Sequence, residues 1–239
     1  MDLGCGTGAN LRATFELLGE RQRWTLVDHD PLLLQAADAR LRAWADHARA
    51  TPDKLVLHKD GRRISVRFRK ADLRHDLDDV LGDAPDLVTA SALFDLCSAA
   101  FIEALVAMVV RRKAAFYAVL SFDGVQTWTP GHAADRRVHE AFIAHQKTDK
   151  GFGFAVGPEA ARFLKSVFER RGYAVTEGHS PWRLGREDAA LIQMLAHGTA
   201  GAVAETGRVD GATLADWKSV VRTGGVVGHV DTLALPSAF

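Results

Sequence analysis

The chain has 239 residues, 47% hydrophobic and 25% charged, with thirty basic side chains set against thirty acidic ones, the balance of an ordinary soluble globular protein. At this length folding buries roughly 70 to 75% of the unfolded chain's surface, enough for a core without metal or disulfide staples. Zero net charge argues against a protein whose main task is gripping phosphate backbones, because that affinity comes from neutralising many phosphates at once; local basic patches remain open.

The longest uncharged apolar stretch, Ala104 to Val110, falls far short of the roughly 20 residues that cross a bilayer, so no membrane span is expected. Cys5 and Cys97 are too few for a disulfide framework, and Met1-Asp2-Leu3 has neither the basic start nor the apolar run of a signal peptide. A reducing cytoplasm is the expected location.

In chain order, a glycine-rich loop, Gly4-Cys5-Gly6-Thr7-Gly8, comes first. Leu11, Phe15 and Leu18 then recur at helical spacing up to Gly19, and Trp24 to Asp28 is a short buried strand. Asp30 and Pro31 start a second helix that carries Leu33, Ala37, Leu41 and Trp44 on one face. Leu55 to His58 and Arg62 to Lys70 read as strands joined by a tight turn at Asp60-Gly61. In the second, Ile64, Val66 and Phe68 alternate with Arg63, Ser65, Arg67 and Arg69, either an anion-binding patch or the solvated face of a strand near a sheet edge.

Asp86 to Ser91 and Ala114 to Phe122 are further buried strands around a helix bearing Phe101, Leu105, Met108 and Val109. Beyond them the pattern predicts a Gly-, Pro- and Trp-bearing loop from Asp123 to His132, a helix over Asp135 to Lys147 and a glycine-bearing segment from Asp149 to Gly157. A helix from Pro158 to Gly172 and a strand from Tyr173 to His179 follow. Helices over Arg186 to Thr206 and Asp210 to Thr223 precede a last strand from Val226 to Leu235. Short apolar runs alternating with helical ones predict a parallel α/β sheet. With no repeat or linker, residues 1–239 read as one domain, 1–97 being a cofactor half and 98–239 completing the sheet and adding substrate-side helices.

Glycines let the backbone of the first loop turn sharply and approach a ligand, and the next helix offers free amides. Gly4, Gly6 and Ala9 also satisfy the G-x-G-x-x-G/A pattern of dinucleotide folds, so a nicotinamide or flavin enzyme must be weighed. Asp28, closing the second strand, suits ribose hydroxyls in either case. Asp72 closes the third, where a helix or turn cap is the structural reading.

Together, Asp2-Leu3-Gly4-Cys5-Gly6-Thr7-Gly8, Asp28 and Asp72 resemble the cofactor motifs of class I S-adenosylmethionine-dependent methyltransferases, of a bacterial, small-molecule type. The resemblance covers about the first 95 residues well and the rest in outline, including Ser180 to Gly185, His145 to Gly153 and the closing Val226 to Asp231. It implies a doubly wound, mostly parallel seven-strand sheet with inserted helices in the C-terminal half. It also implies S-adenosylmethionine as methyl donor, S-adenosylhomocysteine as product, and a cofactor site of Asp2, Gly4, Cys5, Gly6, Gly8, Asp28, His29, Asp72, Leu73 and Ser91.

Methyl transfer is an in-line attack in which positioning dominates, and a general base matters only where the attacking atom still carries a proton. Asp95, just after the fourth strand, and His145, on one helical face with Val138 and Phe142, are the catalytic candidates; a helix cap and a satisfied core histidine are the structural alternatives. His139, Asp149 and Lys150 have suitable chemistry nearby, and Phe94, Phe122, Trp128, Phe152 and Trp182 could line an apolar pocket. His139-Glu140 with His145 misses the H-E-x-x-H zinc spacing, because position 143 is Ile143, and no metal is expected. Ser91-Ala92-Leu93-Phe94 stands where amino-directed nucleic-acid methyltransferases carry an N-P-P-Y type motif. With the neutral charge this predicts a small-molecule acceptor, no nucleic-acid partner, and a monomer or homodimer. An NAD(P)-dependent oxidoreductase and a non-catalytic cofactor-binding homologue are the rival readings. The strand before the glycine loop is normally about five or six residues long; here only Met1 to Leu3 precede the loop, so a truncated first strand and a late-started or shortened chain are expected.

Overall fold

A computed structural model describes residues 1–82 and 84–237. In chain order the elements begin with β1 (Asp2–Leu3), α1 (Ala9–Thr14), β2 (Arg21–Asp28), α2 (Pro31–Trp44), β3 (His47–Ala50) and β4 (Leu55–Lys59). They continue with β5 (Arg62–Lys70), α3 (Leu73–Leu81), β6 (Leu87–Ser91), α4 (Ala99–Arg111), β7 (Ala115–Thr129) and α5 (Asp135–Gln146). The last are α6 (Ala160–Glu169), β8 (Tyr173–His179), β9 (Trp182–Leu184), α7 (Ala189–Thr206), α8 (Gly211–Ser219) and β10 (Gly224–Pro236).

The strands form one 10-stranded sheet in the order β3-β4-β5-β2-β1-β6-β7-β10-β8, with β9 pairing to β10. The run from β5 to β7 is parallel, while β10 lies antiparallel between β7 and β8. The expected mostly parallel seven-strand sheet is therefore the run β5-β2-β1-β6-β7-β10-β8. The antiparallel β3–β4 hairpin extends one edge of it. Short as it is, β1 pairs with both β2 and β6, and Asp2 and Leu3 are completely buried.

Alternation along the strands assigns side chains to two faces. Trp24, Leu26, Ile64 and Val66 meet Leu11 and Phe15 from α1 and its following turn, and Leu34 and Leu41 from α2. On the other face Leu3, Val27, Val88, Ala90, Phe116 and Ala118 meet α3, α4 and α6 through Leu77, Leu105, Leu164 and Phe168. Two of these helices are pinned locally: Asp30 accepts the Leu32 amide at 2.8 Å to start α2, and Ser98 accepts the Phe101 amide at 3.2 Å to start α4. A third apolar cluster joins α5, α7 and α8 through Val138, Ala196, Ala200, Val203 and Trp217. Among the described residues no helix is long and apolar enough to cross a membrane.

Two sequence expectations are corrected, and one strand falls outside them. The loop expected from Asp123 to His132 is instead the far half of β7, which continues to Thr129 with β10 beside it back to Gly224. Gly124, at φ 91°, absorbs an irregularity in that ladder, and beyond it exposed Val125 and Thr127 alternate with half-buried Gln126 and Trp128. The helix expected to reach Thr223 ends at Ser219, which lets Arg222 turn inward with its guanidinium 4.3 Å from the Trp217 ring centroid and 5.2 Å from that of Trp128. Finally, β3 escapes the sequence pattern because all four of its residues are exposed; only pairing with β4 makes it a strand.

Phe116 is fully buried, with ring centroids 5.3 Å from Phe94 and 4.7 Å from Phe168. Phe116→Ala is expected to lower stability by about 3 to 5 kcal/mol, read as a reduced midpoint in urea unfolding.

Candidate functional site

Between β1 and α1 the chain reverses through three left-handed glycines, Gly4 at φ 63°, Gly6 at 52° and Gly8 at 73°. A side chain at any of them would be strained. They differ in surroundings: a Cβ on Gly4 would lie 3.5 Å from Leu93 and one on Gly8 3.5 Å from Leu41, whereas one on Gly6 would meet nothing within 4 Å. Gly6 thus presents bare backbone to open space, while its neighbours seat the loop on the fold.

The loop is fastened to the end of β2. The Cys5 amide donates to the Val27 carbonyl at 2.9 Å, and the Gly6 amide donates to Asp28 Oδ2 at 2.9 Å. Asp28 Oδ1 accepts from the Asp30 amide at 3.0 Å, and the Asp28 side chain is 6% exposed. An ionised carboxylate has about four acceptor positions, so two amides leave room for hydroxyl donors. His29 sits beside it, largely exposed, with Nδ1 3.4 Å from Asp28 Oδ1. Cys5 is buried, and burial pushes its thiol up, which makes it a packing group rather than a nucleophile.

Asp2 lies beneath the loop. Asn10 donates from one amide nitrogen to Asp2 Oδ1 at 2.8 Å and to Thr89 Oγ1 at 3.0 Å, and Thr89 passes its own proton to the Tyr117 carbonyl at 2.7 Å. Burial raises the Asp2 carboxyl to about 7, and its Oδ2 has no partner. Asp2 therefore supports the loop from below and forms no part of its outer surface. Nothing in the sequence singles out Asn10, whose importance comes from where α1 lands on β1 and β6.

Asp72 does what the capping alternative describes: it accepts the Arg74 amide at 3.0 Å at the start of α3 and pairs with the Arg74 guanidinium. That guanidinium holds its carboxyl well below the usual range. Arg74 also approaches the far side of the site, since a Cβ on Gly151 would lie 3.5 Å from Arg74 Nη1. Leu73, the first residue of α3, is buried.

At the end of β6, Ser91 is half-buried and Ala92 takes φ 51°, rare for a residue with a Cβ. The next turn, Phe94 to Leu96, carries Asp95, which is 7% exposed, with Oδ1 buried and unpartnered. Burial pushes its carboxyl up to about 6. Its turn and α5 both pack against the Gly157–Glu159 turn. His145, on α5, has Nε2 2.9 Å from Glu205 Oε2 and Lys150 Nζ 3.2 Å from Nδ1. It is a partnered histidine between α5 and α7, while His139 keeps a buried, unpartnered Nδ1.

The aromatic candidates do not converge. Phe94 packs in the main core on Phe116, Phe122 against Phe142, Trp128 against Trp217 and Phe152 against Phe101. Trp182 meets the His229 ring 5.0 Å away, and Trp128 also faces the Arg222 guanidinium. A cleft of about 490 Å³ opens at the other end of the sheet, among Leu18, Arg21, Arg23, Arg67 and Asp86. The loop nevertheless remains the candidate site, because ligands of open α/β sheets bind outside the carboxyl ends of the strands where the order reverses, here between β1 and β6.

A crystal structure of a cyclopropane-fatty-acyl-phospholipid synthase-like protein from Lactobacillus casei aligns with 96% of this chain and 82% of its own, at 16% identity and a TM-score of 0.53. The chain has the class I methyltransferase fold. A precorrin-6y C5,15-methyltransferase from Geobacter metallireducens aligns more loosely, over 99% of this chain and 78% of its own at 13% identity and a TM-score of 0.45. No family model matches the chain, and no curated protein matches it.

Because burial raises Asp95 from 3.8 to about 6, the folded protein holds that proton more tightly than the unfolded one. The stabilisation is complete below pH 3.8 and is lost as the pH rises to about 6. Asp95→Asn removes the titration. Relative to wild type, its stability is expected to rise by up to about 3 kcal/mol between pH 4 and pH 8, measured by denaturant titrations at both values.

Proposed function

We propose that this chain transfers a methyl group from S-adenosylmethionine to a small-molecule acceptor. The observation that carries the reading is the tie between the Gly6 amide and the buried Asp28 carboxylate at 2.9 Å, beside a Gly6 flank open to 4 Å. Bare backbone and a ribose-accepting carboxylate thus meet where the strand order reverses. Antiparallel β10 between β7 and β8 supports a methyltransferase over a nicotinamide enzyme, whose six-strand doubly wound order carries no such insertion.

The residues fit the cofactor in stages. Gly4, Gly6 and Gly8 cradle the methionine portion, and Asp28 accepts from the ribose hydroxyls. With Asp72 already committed to Arg74, adenine recognition passes to the backbone amide of Leu73 in the first turn of α3. S-adenosylmethionine supplies an electrophilic methyl carbon on a sulfonium. The protein's part is to hold the acceptor in line with it, since most of such a barrier falls through positioning. Asp95, poised by burial and with a free Oδ1, accepts the proton or orients the hydroxyl of the acceptor; His145, bound to Glu205 and Lys150, shapes the wall behind it. Two buried free thiols, Cys5 and Cys97, suit a reducing cytoplasm.

Titration calorimetry with S-adenosylhomocysteine is expected to show binding to the wild type and at least tenfold weaker binding to Asp28→Ala. Equal binding by both proteins, or none by either, would sink the assignment.

A further inference from the structure

Among the described residues, no helix covers one face of the sheet edge beside α3, which joins β5 to β6. The register across β3, β4, β5 and β2 lines up His47, His58, Arg63 and Arg21 in one row and Arg49, Val56, Ser65 and Arg23 in the next. Arg67 stands opposite Thr25 in a third. The opposite face of the same strands, with Leu57, Ile64 and Trp24, is the one packed under α1 and α2.

Arg21, Arg23, Arg49, Arg63 and Arg67 are all exposed. Among the described residues none has an ion pair or a side-chain hydrogen bond. Several acids of the surrounding elements are occupied: Asp79 pairs with Arg69, Asp78 with Arg111 and Arg112, and Asp46 with Lys59. Among the described residues lining the cleft that Arg21, Arg23 and Arg67 share, Asp86 is the one carboxylate. Like charges in direct register, such as Arg21 opposite Arg63, destabilise a sheet. A protein with equal numbers of acids and bases has nonetheless gathered its bases here and left them unneutralised.

We infer that this arginine-lined sheet face binds the phosphate backbone of single-stranded nucleic acid. Guanidinium groups are weakly hydrated and present donors in a fork that matches phosphate oxygens. The rows repeat at about 6.6 Å along a strand and about 4.8 Å between strands, a grid of donors on a flat platform. The one apolar member, Val56, is 8% exposed, so the face has nothing to insert into a bilayer, which favours nucleic acid over an anionic membrane. Arg21 opens β2 and Asp28 closes it, so the rows at Arg21, Arg23 and Thr25 lie about 23, 17 and 10 Å along the strand from Asp28, and the binding is separate from the methyl-donor site. The expectation of no nucleic-acid partner rested on net charge, which is blind to this segregation, and on the absence of an N-P-P-Y type motif at Ser91-Ala92-Leu93-Phe94, which concerns the methyl acceptor and not this face.

Fluorescence anisotropy of a labelled 16-nucleotide uridine RNA, with the full chain, tests the proposal. Neutralising five phosphates predicts a log–log salt slope of about −3.5, or about a hundredfold weaker binding in 200 mM than in 50 mM KCl. Replacing three arginines, Arg21→Gln, Arg63→Gln and Arg67→Gln together, is expected to weaken binding at 50 mM and flatten the slope to about −1.4. An equal charge change elsewhere, Arg183→Gln with Arg186→Gln and Arg208→Gln, should leave both unchanged. Thermal melts confirm folding, and unaltered S-adenosylhomocysteine affinity in the first variant separates the two sites. No RNA binding at 50 mM, or equal weakening by both triple variants, would overturn the proposal. So would loss of binding to vesicles of phosphatidylcholine and phosphatidylglycerol in the first variant while RNA binding is untouched.

Discussion

Within a handful of residues the chain must leave a central strand, expose its backbone and enter a helix, and the hydrogen bond from the Gly6 amide to Asp28 makes that possible. The bond ties the end of β2 to the loop after β1, so the loop is held from the side as well as from its two ends. Left-handed glycines make the turn, but glycine also gives the most freedom to lose, and without a lateral tie such a loop would be loose. Asp28 is buried at 5% exposure and held by two amides, and its place is set by β2 pairing with β1 on one flank and β5 on the other.

Beneath the loop runs a second, hidden layer of polar order. Asp2, Asn10, Thr89 and the Tyr117 carbonyl connect β1, α1, β6 and β7 in one chain of hydrogen bonds. Such a network costs desolvation, visible in the raised Asp2 carboxyl and its orphaned Oδ2, but it specifies one placement of α1 where apolar packing alone would allow sliding. The same logic recurs around Asp135, which accepts the Trp217 indole at 2.7 Å and lies 3.5 Å from Arg222, fixing α8 against the start of α5.

Charge is distributed as deliberately as apolar surface. Acids of α3 and of the β3 approach are committed to specific partners, Asp79 to Arg69 and Asp46 to Lys59, while Arg21, Arg23, Arg49, Arg63 and Arg67 are exposed on the uncovered face. A sheet edge lined with cations also resists pairing with another chain. That purpose explains charge on the outermost strand, β3, but not arginines in register on β2, which lies inside the sheet.

Much of this was legible before any coordinates. Strand and helix periods placed the α/β alternation, Asp30-Pro31 started α2 where expected, and Asp60-Gly61 turned the β4–β5 hairpin with φ of 47° and 75°. Local chemistry decides such features, and local chemistry is written in neighbouring residues. The glycine loop and Asp28 belong to the same class, because steric freedom and a carboxylate at a strand end are properties of single positions. Tertiary structure alone decided the rest. It extended β7 to Thr129 through pairing with β10, made a strand of the all-exposed β3, sent Asp2 beneath the loop to Asn10, and committed Asp72 to Arg74 and His145 to Glu205. It also laid arginines from three separate strands onto one face. Each of these depends on partners distant in sequence or on which of several neighbours captures a polar group, and only the closed fold sets those distances.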